Sequence, residues 1–98
     1  MKITNKDKLD SFVSMHTDAI GSVDRWVEII ESNVFRGHNE LKRMFPSADY
    51  VGNQRYVFNI KGNHYRFVVL VVFVGSLMDI RFCGTHAQYD KVKDIENI

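Results

Sequence analysis

The stretch Tyr56-Val57-Phe58-Asn59-Ile60-Lys61-Gly62-Asn63-His64-Tyr65-Arg66-Phe67-Val68-Val69-Leu70-Val71-Val72-Phe73-Val74-Gly75-Ser76-Leu77-Met78-Asp79-Ile80-Arg81-Phe82 decides the fold. β-Branched and aromatic residues dominate it, and its apolar residues recur with the period of two that marks a strand. Gly62-Asn63 and Gly75-Ser76 interrupt it, each with glycine first in a two-residue loop, as a type II′ hairpin turn requires. Strands are therefore expected at about residues 55–61, 64–74 and 77–84.

With two-residue loops, Lys61 faces His64, Ile60 faces Tyr65, Asn59 faces Arg66 and Phe58 faces Phe67. The second hairpin then sets Val74 opposite Leu77, Val71 opposite Ile80, Val69 opposite Phe82, Leu70 opposite Arg81 and Arg66 opposite Thr85. Alternation sorts these residues into two faces. Tyr56, Phe58, Ile60, Tyr65, Phe67, Val69, Val71, Phe73, Met78, Ile80 and Phe82 form an apolar face for helices to cover. Asn59, Lys61, His64, Arg66, Arg81, Cys83 and Thr85 share the other, on a floor of Val57, Val68, Leu70 and Val72. In this register Arg66 and Arg81 stand about 13 Å apart along the strand direction, a gap their long side chains can narrow over one phosphate.

Upstream the period lengthens. Asn5 is the expected N-cap of a helix carrying Leu9, Phe12, Val13 and His16. Thr17 or Asp18 is the expected cap of a second helix, with Ile20, Val23, Trp26, Val27 and Ile30 on one stripe and Trp26 as a core anchor. Asn39 caps a short helix, Glu40–Met44, which Pro46 ends. Met1–Thr4 reads as a short strand, Ser47–Gly52 as irregular or weakly extended, and the residues from His86 as a helical or irregular tail. Helices first and a meander of strands second indicate an α+β layer fold.

The 98 residues bound this to one domain, 1–98. An apolar fraction of 45% is ordinary for a chain with a core. A lone cysteine, Cys83, allows no internal disulfide and fits a reducing compartment. The polar opening residues lack a secretory pattern, and the eight-residue run Phe67–Val74 is far short of the roughly 20 residues of a membrane span. A cytoplasmic protein without membrane contact is expected. The net charge is only +1, but Arg36–Arg66 carries six Lys/Arg against two Asp/Glu, between acidic flanks. Such a middle suits a polyanion-facing surface.

Cationic and titratable side chains rarely interrupt apolar strands without a partner or a task, because desolvating them is costly. Arg, Lys, His and Tyr without a carboxylate majority suit a phosphodiester: cations hold the phosphate while His, Tyr or Lys moves protons. RNA brings its own nucleophile, the 2′-hydroxyl, so neither metal nor cofactor is needed. His86 is the first candidate for proton transfer, since its ordinary pKa lies near neutrality. Tyr89 or Lys61 can share that role where neighbouring cations depress the pKa. Arg66 and Arg81 would neutralise transition-state charge. Arg55, Asn59, His64 and Lys91 complete an RNA-binding set. The four histidines lack metal-ligand spacing, and Gly62 and Gly75 belong to turns rather than to a phosphate-cradling motif.

Val57-Phe58-Asn59-Ile60-Lys61-Gly62-Asn63-His64-Tyr65-Arg66 and Ile80-Arg81-Phe82-Cys83-Gly84-Thr85-His86-Ala87-Gln88-Tyr89-Asp90-Lys91 resemble the two signature stretches of HigB-type toxins. Glu40–Asp49 is similar to the family's pre-strand segment, and Trp26 to its second-helix tryptophan. Thr17 stands where the family commonly has proline, and Cys83 replaces a more usual aliphatic residue; both departures look structural. The resemblance implies a RelE-like fold, with N-terminal helices on one face of a small, mainly antiparallel twisted sheet. It implies a toxin–antitoxin mRNA interferase of the RelE/ParE superfamily that cuts mRNA in the ribosomal decoding site. It also implies silencing by a helix-turn-helix, HigA-like antitoxin, through which alone operator DNA is reached. Lys61, Arg66, Arg81, His86 and Tyr89 match positions where such residues serve cleavage. Two other readings compete: a ParE-like gyrase inhibitor that cuts nothing, and a simple RNA- or ribosome-binding module.

Overall fold

The computed structural model describes residues 1–98. Its strands are β1 (Lys2–Thr4), β2 (Asp49–Gly52), β3 (Arg55–Ile60), β4 (Tyr65–Val72) and β5 (Leu77–Thr85). Its helices are α1 (Lys6–Met15), α2 (Ile20–Glu31), α3 (His38–Met44) and α4 (His86–Asp90), with 3₁₀ turns at Thr17–Ala19 and Ile95–Asn97. The chain is α+β, and its five strands form one sheet in the order β1-β5-β4-β3-β2. Every neighbouring pair is antiparallel except β1 and β5. No helix is long and apolar enough to cross a membrane.

β4 lies at the centre of the sheet, which explains its composition. A central strand loses water on both sides, so Phe67, Val68 and Val69 are all fully buried. On one face Phe67 meets Phe12 of α1 and Trp26 of α2, edge to face, at 5.3 and 5.5 Å between ring centroids. Phe58, Ile60, Tyr65, Val71, Met78 and Ile80 belong to the same cluster. The helical stripe Val23, Trp26 and Ile30 fills the opposing layer. This face matches the one expected from alternation, apart from Phe82.

Caps and boundaries differ from the sequence reading where a side chain found a distant partner. Asn5 precedes α1 but makes no cap: its Nδ2 donates to Asp79 Oδ1 at 3.0 Å and to the Ile80 carbonyl at 3.1 Å. Neither Thr17 nor Asp18 caps α2, which grows out of the 3₁₀ turn they occupy. Asp18 instead accepts from Tyr65 Oη at 2.7 and 2.8 Å. α3 begins at His38, with extended Gly37 rather than Asn39 at its N-cap. The segment before Gly52 forms an edge strand, β2, that pairs with the start of β3.

The two hairpins depart from expectation by different amounts. Between β3 and β4 the expected register holds, with Asn59 opposite Arg66 and Phe58 opposite Phe67. Its loop spans Lys61–His64, and both Lys61 and Gly62 take positive φ, 52° and 65°. Between β4 and β5 the ladder opens at Val72 opposite Leu77, two residues short of the expected pairing. Here Ser76, not Gly75, takes the left-handed conformation (φ 51°), and its N–H donates to the Phe73 carbonyl at 3.1 Å. Farther along, Val69 pairs with Ile80 but Val68 pairs with Phe82, so Arg81 is an extra residue in a β-bulge. The bulge reverses parity beyond it. Phe82 and Gly84 come to the face of Arg66 and Val68, while Cys83 and Thr85 move to the helical side, opposite Phe67 and Tyr65. Arg66 therefore faces Gly84 rather than Thr85.

The second face of the sheet is not open. Val57 and Val68 belong to it by alternation, yet they are 3% and 0% exposed. The C-terminal segment lies there: α4 packs on β4 and β5, and the last 3₁₀ turn reaches β2. Arg55 Nη2 donates to the Ile98 carbonyl at 2.8 Å, and Asn53 Nδ2 to the Glu96 carbonyl at 3.0 Å, fixing the crossing.

Candidate active site

The end of the sheet where β4 begins and β5 finishes holds His64, Arg66, His86 and Tyr89. Thr85 ends β5 and opens α4 with a capping box. Its hydroxyl accepts from the Gln88 N–H at 3.1 Å, and Gln88 Oε1 accepts from the Thr85 N–H at 2.9 Å. The pattern Thr85-x-x-Gln88 was legible in the sequence and was missed. The box sets the direction of a five-residue helix whose His86 and Tyr89 sit one turn apart. The His86 N–H also reaches the His64 carbonyl at 3.4 Å, continuing the ladder past the hairpin tip. Gly84 is needed beside it: a Cβ there would lie 2.6 Å from the Phe82 ring and 2.7 Å from Gln88 Oε1.

Tyr89 brings Arg66 into the site. The Arg66 guanidinium carbon lies 4.7 Å from the centre of the Tyr89 ring, a cation–π stack that holds a planar cation without neutralising it. Arg66 Nε is buried with no hydrogen-bond partner, and Arg66 belongs to none of the ion pairs. It is a partly desolvated cation without a carboxylate partner. His86 Nδ1 lies 3.4 Å from Asp90 Oδ2, a contact between exposed side chains one helical turn apart, without a hydrogen bond. His64 stands at the exposed hairpin tip with Nδ1 2.9 Å from the Lys61 carbonyl. Lys91 follows α4 directly and is exposed.

Other expected members lie elsewhere. Lys61 is not on the face of Arg66: its Nζ pairs with Asp18 Oδ2 at 2.9 Å on the helical side, because the left-handed backbone at Lys61 turns the side chain that way. Lys61 and the Tyr65 hydroxyl hold the Asp18 carboxyl below its ordinary range, and the same carboxylate raises the Tyr65 phenol. Asp18 had no visible signal in the sequence beyond its place near a helix start. Arg81 is displaced by its bulge. Its Nε lies 2.9 Å from Asp79 Oδ2 but out of line for a hydrogen bond. Arg81 lines a cleft of about 420 Å³ between β5 and α1, together with Lys8, His16 and Gln88. Arg55 is spent at the far end of β3, donating to the carbonyls of Ile98 and Asn53. Asn59 lies opposite Arg66 in the ladder, and its amide donates to the Ser47 carbonyl at 3.5 Å.

Cys83 lines the α1–β5 cleft, but burial pushes its thiol up to about 12, so the nucleophilic thiolate is absent at neutral pH. Thus Arg66, His86 and Tyr89 come together, with His64 at the rim and Arg81 across the bulge. A stacked cation with an imidazole one helical turn from its stacking partner can hold a phosphate and move a proton.

Residues 19–92 match the family described as HigB_toxin, RelE-like toxic component of a toxin-antitoxin system. The chain belongs to the HigB toxin family. It is 39% identical over 64 residues to the mRNA interferase toxin HigB of Escherichia coli strain K12, covering 62% of this chain and 61% of that protein. The same identity and coverage relate it to the mRNA interferase HigB of Shigella flexneri. It is 29% identical over 66 residues to the mRNA interferase HigB of Escherichia coli O6:H1 strain CFT073. The matched stretch spans less than two thirds of each of these HigB relatives. The family match, residues 19–92, includes both hairpins and α4, and so Arg66, His86 and Tyr89.

Proposed function

We propose that this HigB family member is a cytoplasmic endoribonuclease, a single RelE-like toxin domain that cleaves mRNA on the translating ribosome. The observation that carries the reading is Arg66, an unpaired and partly desolvated guanidinium stacked on Tyr89, which shares α4 with His86. The names of the relatives, mRNA interferases, supply the substrate class. In this mechanism the RNA 2′-oxygen attacks the adjacent phosphorus and the bond to the 5′-oxygen breaks. A cyclic phosphate and a free 5′-hydroxyl result. Arg66 stabilises charge on the non-bridging oxygens, and His86 transfers the proton through Nε2. Tyr89 holds Arg66 and borders the reacting phosphate, while Arg81 contributes positive charge from the β5 edge. Lys61 serves the hairpin tip through Asp18 rather than the phosphate. His64, Asn59 and Lys91 border the RNA path; Arg55 is assigned to fixing the C-terminal segment.

The partner is a helix-turn-helix antitoxin that silences the enzyme and carries it to operator DNA. Induced expression without that antitoxin tests the whole reading. Growth arrest with mRNAs cut inside translated codons is expected, and Arg66→Ala and His86→Ala restore growth while the protein stays folded. Cleavage that persists on naked RNA removes the ribosome from the mechanism. DNA damage with intact mRNA overturns the nuclease in favour of gyrase inhibition.

A further inference from the structure

Along the outer edge of β5, on the side away from β4, lies the α1–β5 cleft of about 420 Å³. β1 pairs with β5 only as far as Asp79, so the edge from Arg81 onward faces α1 instead of a strand. Lys8, Phe12 and His16 follow at intervals of four along α1 and form one wall. Arg81 and Cys83 of β5 form the other, and Gln88 of α4 also lines the space. Phe12 and Tyr65 hold the His16 ring, at 4.8 and 5.0 Å between centroids. His38 and His64 make ring hydrogen bonds and His86 contacts Asp90, but the nitrogens of His16 have no partner. Met15 lines the same cleft and is 80% exposed, a large apolar side chain left in water. Gln88 gives its Oε1 to the capping box, which fixes the amide while Nε2 stays without a hydrogen bond. The charges nearly cancel, since Asp7 lines the cleft with Lys8, and Arg81 is paired with Asp79. A phosphate gains little from such a balance, whereas a nucleobase brings an apolar face and hydrogen-bonding edges that suit it.

We propose that the α1–β5 cleft seats the base of the nucleotide next to the reacting phosphate, with His16 and Met15 against its face and Gln88 Nε2 and Lys8 at its edge. The inference rests on the RNA-cleaving reading and adds base selection to it. Gly84 of β5 stands opposite Arg66, so a single strand, about 5 Å from its neighbour, separates the cleft from the guanidinium. Gln88 and Tyr89 are successive residues of α4, the first lining the cleft and the second stacked on Arg66. Adjacent groups of one nucleotide chain can therefore occupy both places, and a seated base fixes the phosphate in register. α1 lies before residues 19–92 of the family match, which makes His16 and Met15 features of this chain rather than of that match.

Mapping the cut ends of cellular mRNA after induced expression reads the base preference around the cut. The wild type is expected to prefer one base at a nucleotide adjoining it. His16→Leu keeps an apolar side chain against Phe12 and Tyr65, and Met15→Ala changes an exposed position, so both variants should fold. Each is expected to lower that preference about five-fold or more while cutting persists. An equal preference in wild type and both variants, or none in the wild type, overturns this inference and leaves the proposed function standing. A second measurement needs no cutting. Uncharged nucleosides titrated into the full chain with ¹³C-methyl methionine are expected to move the Met15 resonance saturably, identified by its loss in Met15→Ala. His16→Leu should weaken that response, and inorganic phosphate at equal ionic strength should not produce it. Movement by phosphate alone makes the cleft an anion site and overturns the seating of a base, as does no movement by any nucleoside. Intact cellular mRNA with a nucleoside bound supports the base site and removes the function proposed above; neither cutting nor binding overturns both.

Discussion

The hairpins on either side of β4 turn through loops of equal length, Lys61–His64 and Phe73–Ser76, yet they deliver their strands differently. In the first, every residue of β3 from Arg55 to Ile60 keeps one partner in β4, so alternation runs unbroken from end to end. In the second, β5 carries one residue too many at Arg81 and changes face midway. The regular hairpin builds core. The irregular one builds the candidate site, because only after the bulge does Gly84 come opposite Arg66 and α4 leave β5 with Tyr89 above the guanidinium. Bulges occur next to active sites for this reason: they re-aim side chains without unpairing the strand.

The largest test of this contrast removes what both hairpins share. Phe67→Ala empties a fully buried position between Phe12 and Trp26 and should cost about 3–5 kcal/mol, read from chemical denaturation as a lower midpoint at unchanged slope. Gly84→Ala acts on the irregular hairpin alone. The new Cβ must displace the Phe82 ring or Gln88, so a loss of about 1–3 kcal/mol is expected, together with reduced mRNA cleavage as the capping box shifts.

Deleting Arg81 makes the second hairpin as regular as the first, since Ile80 and Phe82 already face consecutive residues of β4. The shortened chain should stay folded within about 1 kcal/mol of wild type, because the cation it loses is part of a partly exposed pair, yet cleavage should fall about ten-fold or more. A deletion variant that does not fold would show that the bulge holds up the sheet itself. The smallest effect belongs to the first hairpin. Asp18→Asn removes the negative charge, and one of the two acceptor oxygens, that Lys61 and Tyr65 share. The folded protein holds Asp18 below its ordinary range, so its stabilisation is present above the unfolded carboxyl range and is lost as pH falls through the lowered value. Melting temperatures of wild type and variant should therefore differ most near neutrality and converge in acid.

Much of the fold was readable because it follows from local rules. Phe58, Phe67, Val69 and Ile80 face the helices as a period of two requires, and Val23, Trp26 and Ile30 face the sheet as a period of 3.6 requires. Phe82 and Cys83 were assigned to the wrong faces because one extra residue reverses parity, and nothing in Ile80-Arg81-Phe82 announces it. Thr85-x-x-Gln88 did announce the capping box, and with it the placement of His86 and Tyr89. The stack of Arg66 on Tyr89 joins residues from β4 and α4, and no local pattern reports it.

From the order of its residues this chain fixed its layers, its central strand and the face that packs, because hydrophobic periodicity acts over a few neighbours at a time. Which cations end up paired was settled at long range. Lys61 meets Asp18 across 43 positions, Arg55 meets Ile98 across 43, and the C-terminal segment closes over Val57 and Val68. Such contacts form where burial and charge compensation, summed over the assembled molecule, outweigh the solvation each group gives up. Arg66 is a cation that this balance left half-buried without a carboxylate, and it stands where the substrate phosphate is proposed to bind.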